Sequence, residues 1–245
     1  MPQFVPGMDV AAEIAAAAAR AGVAIGAHDV VVIAQKVVSK AEGRLFDLDR
    51  VSAGAEAQAL AGQTGRPAPL AQLILQESSS VMRATPQAVI TRHLTGHVTA
   101  NAGIDASNVA GGDSGTVLLW PVDPDASART IRDRLGALIG AAPAVLIADS
   151  LGRAWRQGTL GTAIGCAGLV AVDDRRGQAD MYGRTLQATI VAIADALTGF
   201  AVLAMGEGAE GTPVAVLRGA GRWITPEHGP GAASIMRPAA GDLFP

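Results

Sequence analysis

The chain has 245 residues, 49% of them apolar, with 30 glycines, only 3% aromatic residues and a formal net charge of -3. That length and apolar share build one substantial core, as a single domain or two intertwined subdomains, and exclude a disordered chain. The slight negative charge and the scarcity of rings leave nucleic-acid binding without a basic field or stacking platforms.

Asp9 caps a helix over 10–21 that Gly22 ends. Residues 30–38 are dense in β-branched side chains and read as a buried strand. Helices are expected over 52–61 and 70–76, separated by Gly65, Pro67 and Pro69. A short strand at 88–91 leads into a polar loop with His93 and His97, and 116–120 is a further strand closed by Pro121 and Pro124. Asp125 begins an amphipathic helix with Ile131, Leu135 and Leu138 on one face. Strands follow at 144–148, ending at Asp149, and at 163–172, after which 173–177 is charged and turn-like. Residues 186–197 read as helix, 214–217 as the last strand, and the Gly- and Pro-rich tail from Gly221 to Pro245 as mostly irregular. Helices and strands mix without a strict β-α-β rhythm, so the fold class is α+β rather than doubly wound.

Cys166 is the single cysteine, which rules out an internal disulfide. It sits in an apolar run and reads as a small buried hydrophobe. No secretory signal opens the sequence and no apolar run reaches the roughly 18 residues of a membrane span, so a cytoplasmic protein with no membrane partner is expected.

Chemistry concentrates in two acid-bearing segments, Asn101-Ala102-Gly103-Ile104-Asp105-Ala106-Ser107-Asn108 and Ala148-Asp149-Ser150-Leu151-Gly152-Arg153. If the fold joins Asp105 to Asp149, they make a hard oxygen site suited to magnesium or manganese, and such a cation most often serves phosphate chemistry. Taken singly, each aspartate is more often a helix cap or turn residue. Arg153 and Arg156 flank Trp155; their forked guanidinium groups suit an anionic substrate, or else a surface ion pair. Trp155 itself suits stacking on a ring or packing in the core. The loop from Gly206 to Gly211 lets backbone amides approach a nucleotide, but the chain has no GxxxxGK[ST] and therefore no P-loop. His93 and His97 have the spacing of a zinc pair, yet Thr95, Gly96 and Val98 argue against a helix there, and neither a Cys partner nor HExxH is present.

Five stretches carry a resemblance: 30–44 (VVVIAQKVVSKAEGR), 91–108 (TRHLTGHVTANAGIDASN), 149–156 (DSLGRAWR), 205–212 (MGEGAEGT) and 214–219 (VAVLRG). In order and spacing they resemble the coenzyme F420-0:L-glutamate ligase (CofE) family, including the N-terminal domain of its bacterial relative FbiB. The resemblance implies an α+β fold in an intertwined homodimer. It implies a GTP- and metal-dependent ligase that joins L-glutamate to the terminal carboxylate of F420-0 through an acyl phosphate. The products are F420-1, or longer γ-glutamyl tails on repetition, with GDP and phosphate. Asp105, Asp149 and Glu207 match the family's catalytic acids. Asp105 and Asp149 match the ligands of a first metal, Ser150 and Glu207 those of a second, with Mg2+ or Mn2+ expected and K+ as a further candidate. Gln35, Lys40, Asn108, Met205, Gly206, Gly208 and Gly211 match nucleotide contacts, Lys40 at the phosphates. Arg153 and Arg156 are the candidates for holding F420-0 or the incoming glutamate.

The match is not complete. Relatives often begin with a Gly-Leu-Pro-Glu segment that meets the nucleotide, whereas this sequence reads Met1-Pro2-Gln3-Phe4, with Gln3 where a glutamate is usual. Gln35 stands where relatives carry serine. Both differences bear on the nucleotide contacts. The flavin-binding, nitroreductase-like domain of FbiB has no counterpart in these residues, so FMN is not expected. Two other classes use the same residues: a phosphohydrolase in which water replaces the amine, and a non-catalytic binding module.

Overall fold

The computed structural model describes residues 1–107, 109, 115–238 and 241. In chain order its elements are α1 (Val10–Arg20), β1 (Val30–Ala34), α2 (Gln35–Ala41), β2 (Leu45–Asp47), α3 (Ala55–Thr64), α4 (Ala68–Gln76), β3 (Ser78–Ala84), β4 (Val89–His93), β5 (Val98–Ala100) and β6 (Thr116–Leu118). There follow α5 (Pro124–Ile139), β7 (Ala144–Gly152), β8 (Thr159–Ala167), β9 (Val172–Asp174), β10 (Ile190–Ala192), α6 (Ile193–Met205) and β11 (Val214–Leu217). The architecture is α+β, as the mixed pattern predicts.

The central sheet runs β11-β1-β7-β8. Only β1 and β7 are parallel; β11 and β8 flank them antiparallel. Strand alternation sorts the core. Val30, Val32, Leu146 and Ala148 pack against Ile193, Ala194, Ala201 and Val202 of α6. Val31, Ile33, Val145 and Ile147 face the other way, onto α1 and α5 through Ile14, Ile131 and Leu135. The four residues Val30–Ile33 are fully buried, and each such side chain stabilises the fold by roughly 1.5–3 kcal/mol. A second, smaller core joins α3 and α4 to β4 and β6 through Ala57, Leu60, Ile74, Val89 and Val117. The sheet β3-β4-β5 and the ribbon β2-β6 complete that side.

Several boundaries differ from expectation. The run at 30–38 is not one strand: β1 ends at Ala34 and α2 begins at Gln35. Val37 and Val38 are buried as helix residues, because tertiary packing outweighs the weak strand preference of β-branched side chains. Asp149 lies inside β7 rather than at a strand end. The strand expected at 163–172 starts earlier, at Thr159, and stops before Gly168, whose φ of +74° turns the chain. Ile190 and Val191 belong to β10, paired with β9, and α6 starts only at Ile193. The fifth helix starts at Pro124 with Asp123 as its cap. Asp125 instead accepts bonds from the amides of Cys166 and Ala232 at 2.8 Å each. Leu138 is exposed, outside the buried stripe. The helix expected at 52–61 sits three residues later, at Ala55–Thr64. In the tail, Gly221–Trp223 and Ala232–Ile235 form 3-10 turns. Among the described residues no helix is long and apolar enough to cross a membrane.

Candidate active site

A cavity of about 820 Å3 opens where the end of β1 and the start of α2 meet β7, the end of α6 and the loop before β11. Gln35, Lys40, Asp105, Asp149, Ser150, Met205, Gly206, Glu207, Gly208 and Gly211 all line it. The fold thus joins residues up to about 175 positions apart in sequence, and Asp105 does meet Asp149 in one chamber.

Asp105 is held by local backbone. It pairs with Leu118, donating its amide at 3.1 Å and accepting the Leu118 amide at 2.8 Å. Just before it, Asn101, Ala102 and Gly103 have φ of +52°, +54° and +69°. The two non-glycine residues store strain of order 1–3 kcal/mol each. Gly103 sits against the indole of Trp120, leaving no room for a Cβ. Trp120 is fully buried, and its Nε1 donates to Asp149 Oδ2 at 2.8 Å. The backbone amide of Ser150 donates to the other oxygen, Oδ1, at 2.8 Å. The tight turn, the indole and the second aspartate form one stack.

The electrostatics of the two aspartates are opposite. Burial pushes the Asp149 carboxyl above its ordinary value; the Ser150 and Trp120 donors oppose this and the charge of Asp105 adds to it. Asp105 is also raised by burial, but Lys36 and Ser107 outweigh that and hold it low. Lys36 Nζ lies 2.5 Å from Asp105 Oδ2 and 2.7 Å from Ser107 Oγ. Ser107 donates its amide to Asp105 Oδ1 and its hydroxyl to Oδ2, both at 2.7 Å. Lys36 is a site residue that sequence reasoning passed over. The signal was there: with α2 helical, Lys36 and Lys40 stand four apart on one face. Desolvation, then the nearby Lys36 charge, lowers the Lys40 ammonium.

Also lining the chamber, Ser150 Oγ donates to Glu207 Oε1 at 2.6 Å, with Thr159 Oγ1 3.5 Å from the same oxygen. Gly206 ends α6 with φ of +81°, and the Gly208 amide donates to Glu210 Oε2 at 2.7 Å. Lining side chains therefore include four carboxylates, Asp105, Asp149, Glu207 and Glu210, against the two lysines Lys36 and Lys40. A polyphosphate meets net repulsion in such a chamber unless cations come with it. Among the described residues no three His, Cys, Asp or Glu side chains stand close enough to form a closed metal cage. The oxygen donors come instead in two sets, Asp105 with Asp149 and Ser150 with Glu207. Hard oxygens, surplus negative charge and a buried carboxylate pushed up by its surroundings fit Mg2+ or Mn2+, ions that keep several waters.

The remaining expected contacts vary in their surroundings, with Gln35 on the cavity wall. Gln35 is buried; its Nε2 donates to Ser39 Oγ at 2.5 Å and lies 3.4 Å from the Leu119 carbonyl, so its amide ties α2 to the core. Arg153 and Arg156 lie outside the cavity, on the exposed hairpin between β7 and β8, where Arg153 Nη1 donates to the Gly158 carbonyl at 3.2 Å. Trp155, in the same hairpin, is 82% exposed and has φ of +58°, so it is not core. Asn108 lies outside the described residues. His93 and His97 are buried around Trp120, with ring centroids 4.7 and 5.5 Å from it. Thr95 Oγ1 lies 2.9 Å from the Nδ1 of each, so the pair serves as packing behind Asp149. The Cys166 thiol is buried and pushed up to about 12, as an inert core residue should be.

Residues 1–219 match the family described as F420-0:Gamma-glutamyl ligase. The chain is 42% identical over 240 residues to the coenzyme F420:L-glutamate ligase of Methanopyrus kandleri, covering 98% of this chain and 92% of the relative. It is 39% identical over 244 residues to the protein of the same name from Methanothermobacter thermautotrophicus, covering 100% and 95%. A third relative of that name, from Methanocaldococcus jannaschii, is 39% identical over 216 residues, covering 88% and 84%. On the strength of this match along nearly its full length, the chain belongs to the F420-0:gamma-glutamyl ligase family, a family of amide-bond-forming ligases.

Proposed function

We propose that this protein joins L-glutamate to the terminal carboxylate of F420-0, consuming GTP and requiring divalent metal. The observation that carries the reading is the chamber itself: two lysines, four carboxylates and a glycine-rich loop around a space of about 820 Å3. A carboxylate oxygen of F420-0 attacks the γ-phosphorus of GTP and GDP leaves. The glutamate amine then attacks the acyl carbon, phosphate leaves and the amine loses a proton. Such a reaction asks the protein mainly for alignment and charge neutralisation. Lys40 supplies a point charge to the phosphates, and the amides of the loop at 206–211 approach them closely. Asp105 and Asp149 would hold one Mg2+ or Mn2+, and Ser150 and Glu207 a second; such ions offset charge on the transferring group. Arg153 and Arg156 extend from β7, the strand that carries Asp149 and Ser150, and we assign them to the anionic acceptor or to glutamate.

The same reading includes a homodimer. The outer face of α6 exposes Phe200 at 65% and Leu203 at 81%, and the chain from β9 to β10 exposes Met181 and Tyr182 almost fully. Apolar surface of this kind marks an association face, and light scattering on the purified protein tests it.

The activity is tested by incubating the protein with F420-0, L-glutamate, GTP and Mn2+ or Mg2+ and weighing the products by mass spectrometry. Metal- and GTP-dependent addition of glutamate units is expected, and the mass counts the additions. GTP loss with no amide formed would identify a phosphohydrolase instead.

A further inference from the structure

We propose that Lys36 is a built-in counter-cation that competes with a divalent metal for Asp105 and passes to nucleotide phosphate when the metal takes its place. This rests on the metal- and nucleotide-dependent reading above and gives it a residue that controls the order of loading. Lys36 stands in the first turn of α2, facing the chamber, with its ammonium 2.5 Å from Asp105 Oδ2 and 2.7 Å from Ser107 Oγ. Ser107 already donates to both Asp105 oxygens. The ammonium therefore takes up a position on Oδ2 that a hard cation would otherwise use. Its charge also reaches Asp149 and Lys40, and Lys40 follows it by one turn of α2.

The pair is free to exchange. Lys36 and Asp105 side chains are 26% and 42% exposed, and pairs at such exposure are weak. A lysine ammonium is a compact charge on a flexible four-carbon stem, able to leave one oxygen for another without moving the helix. Competition has a fixed thermodynamic consequence. Removing the ammonium must tighten metal binding in the absence of nucleotide and weaken nucleotide binding in the absence of metal. In the intact chain the two ligands must assist each other, since nucleotide draws Lys36 off Asp105.

The test measures free Mn2+ by electron paramagnetic resonance against full-length protein without nucleotide, and GTP binding by calorimetry without metal. In Lys36→Met, Mn2+ is expected to bind about two- to fivefold tighter and GTP about tenfold or more weaker. Lys36→Arg keeps the charge and is expected to hold Mn2+ affinity near the original. Lys36→Gln carries the same comparison if Lys36→Met does not fold. If the unsubstituted protein binds both ligands but the neutral variants, folded by circular dichroism, bind Mn2+ no more tightly, the proposal fails alone. If the unsubstituted protein binds neither ligand, the metal and nucleotide reading fails and takes the proposal with it.

Discussion

Trp120 Nε1 donates to Asp149 Oδ2 at 2.8 Å from a fully buried indole. The bond ties the strand carrying Asp149 to the segment that positions Asp105, because Gly103 sits directly against the same ring. Trp120→Phe keeps most of the packing and removes the donor. It should cost about 1–3 kcal/mol in urea denaturation, the usual penalty for a buried acceptor left unpaired. Turnover should fall about tenfold or more as the Asp149 carboxylate loses its fixed orientation.

The two aspartates should respond to pH in opposite directions. Burial raises the Asp149 carboxyl above its ordinary 3.8 despite its two donors. Such a group contributes stability fully below its unfolded pKa and loses that contribution as pH rises through the folded pKa. Asp149→Asn, neutral throughout, should therefore gain on the original protein in Tm from about pH 4 upward, while turnover drops by orders of magnitude. Asp105 is held low by Lys36 and Ser107 against the effect of burial. Its contribution is present above the unfolded pKa and lost as pH falls through the folded one. Asp105→Asn should be less stable near neutrality and converge with the original in acid. Thermal melts of both variants across that range give opposite slopes if the burial and pairing described are right.

Much of this chamber is legible in the amino-acid order, and the exceptions have physical causes. Asp105, Asp149, Ser150, Glu207 and Lys40 are separated by long stretches, yet all reach one cavity. Lys36 escaped because it interrupts a run of valines that reads equally as strand or buried helix, and only the packing of Val37 and Val38 under α2 decides between them. Trp120 escaped because a lone tryptophan beside a strand reads as core; its single polar atom matters only once the fold brings Asp149 beside it. Gln35 has an engagement that only the fold reveals. It lines the same cavity, yet its amide is already engaged by Ser39.

Gly103→Ala probes the turn. A Cβ there would run into the Trp120 ring, and the φ of +69° is strained for any residue with a side chain. A loss of about 2–4 kcal/mol in denaturation is expected from overpacking and backbone strain together, with activity falling alongside. A substitution without effect would mean that Trp120 is not held as described.

Arg153→Ala and Arg156→Ala address the acceptor. Both side chains are exposed, so melting temperature should hardly change. Steady-state kinetics should show KM for F420-0 or for glutamate raised about 10- to 100-fold, the worth of a charged hydrogen bond, with KM for GTP unchanged. A rise for GTP alone would move these residues to the nucleotide.

The proposed ligation passes through an acyl phosphate formed on F420-0. It is tested most directly with F420-0 carrying oxygen-18 in its terminal carboxylate, turned over with GTP, L-glutamate and Mn2+. The released phosphate should contain one labelled oxygen for each first glutamate added. Amide formation with unlabelled phosphate would contradict the account, because the carboxylate oxygen would then never have been bonded to phosphorus.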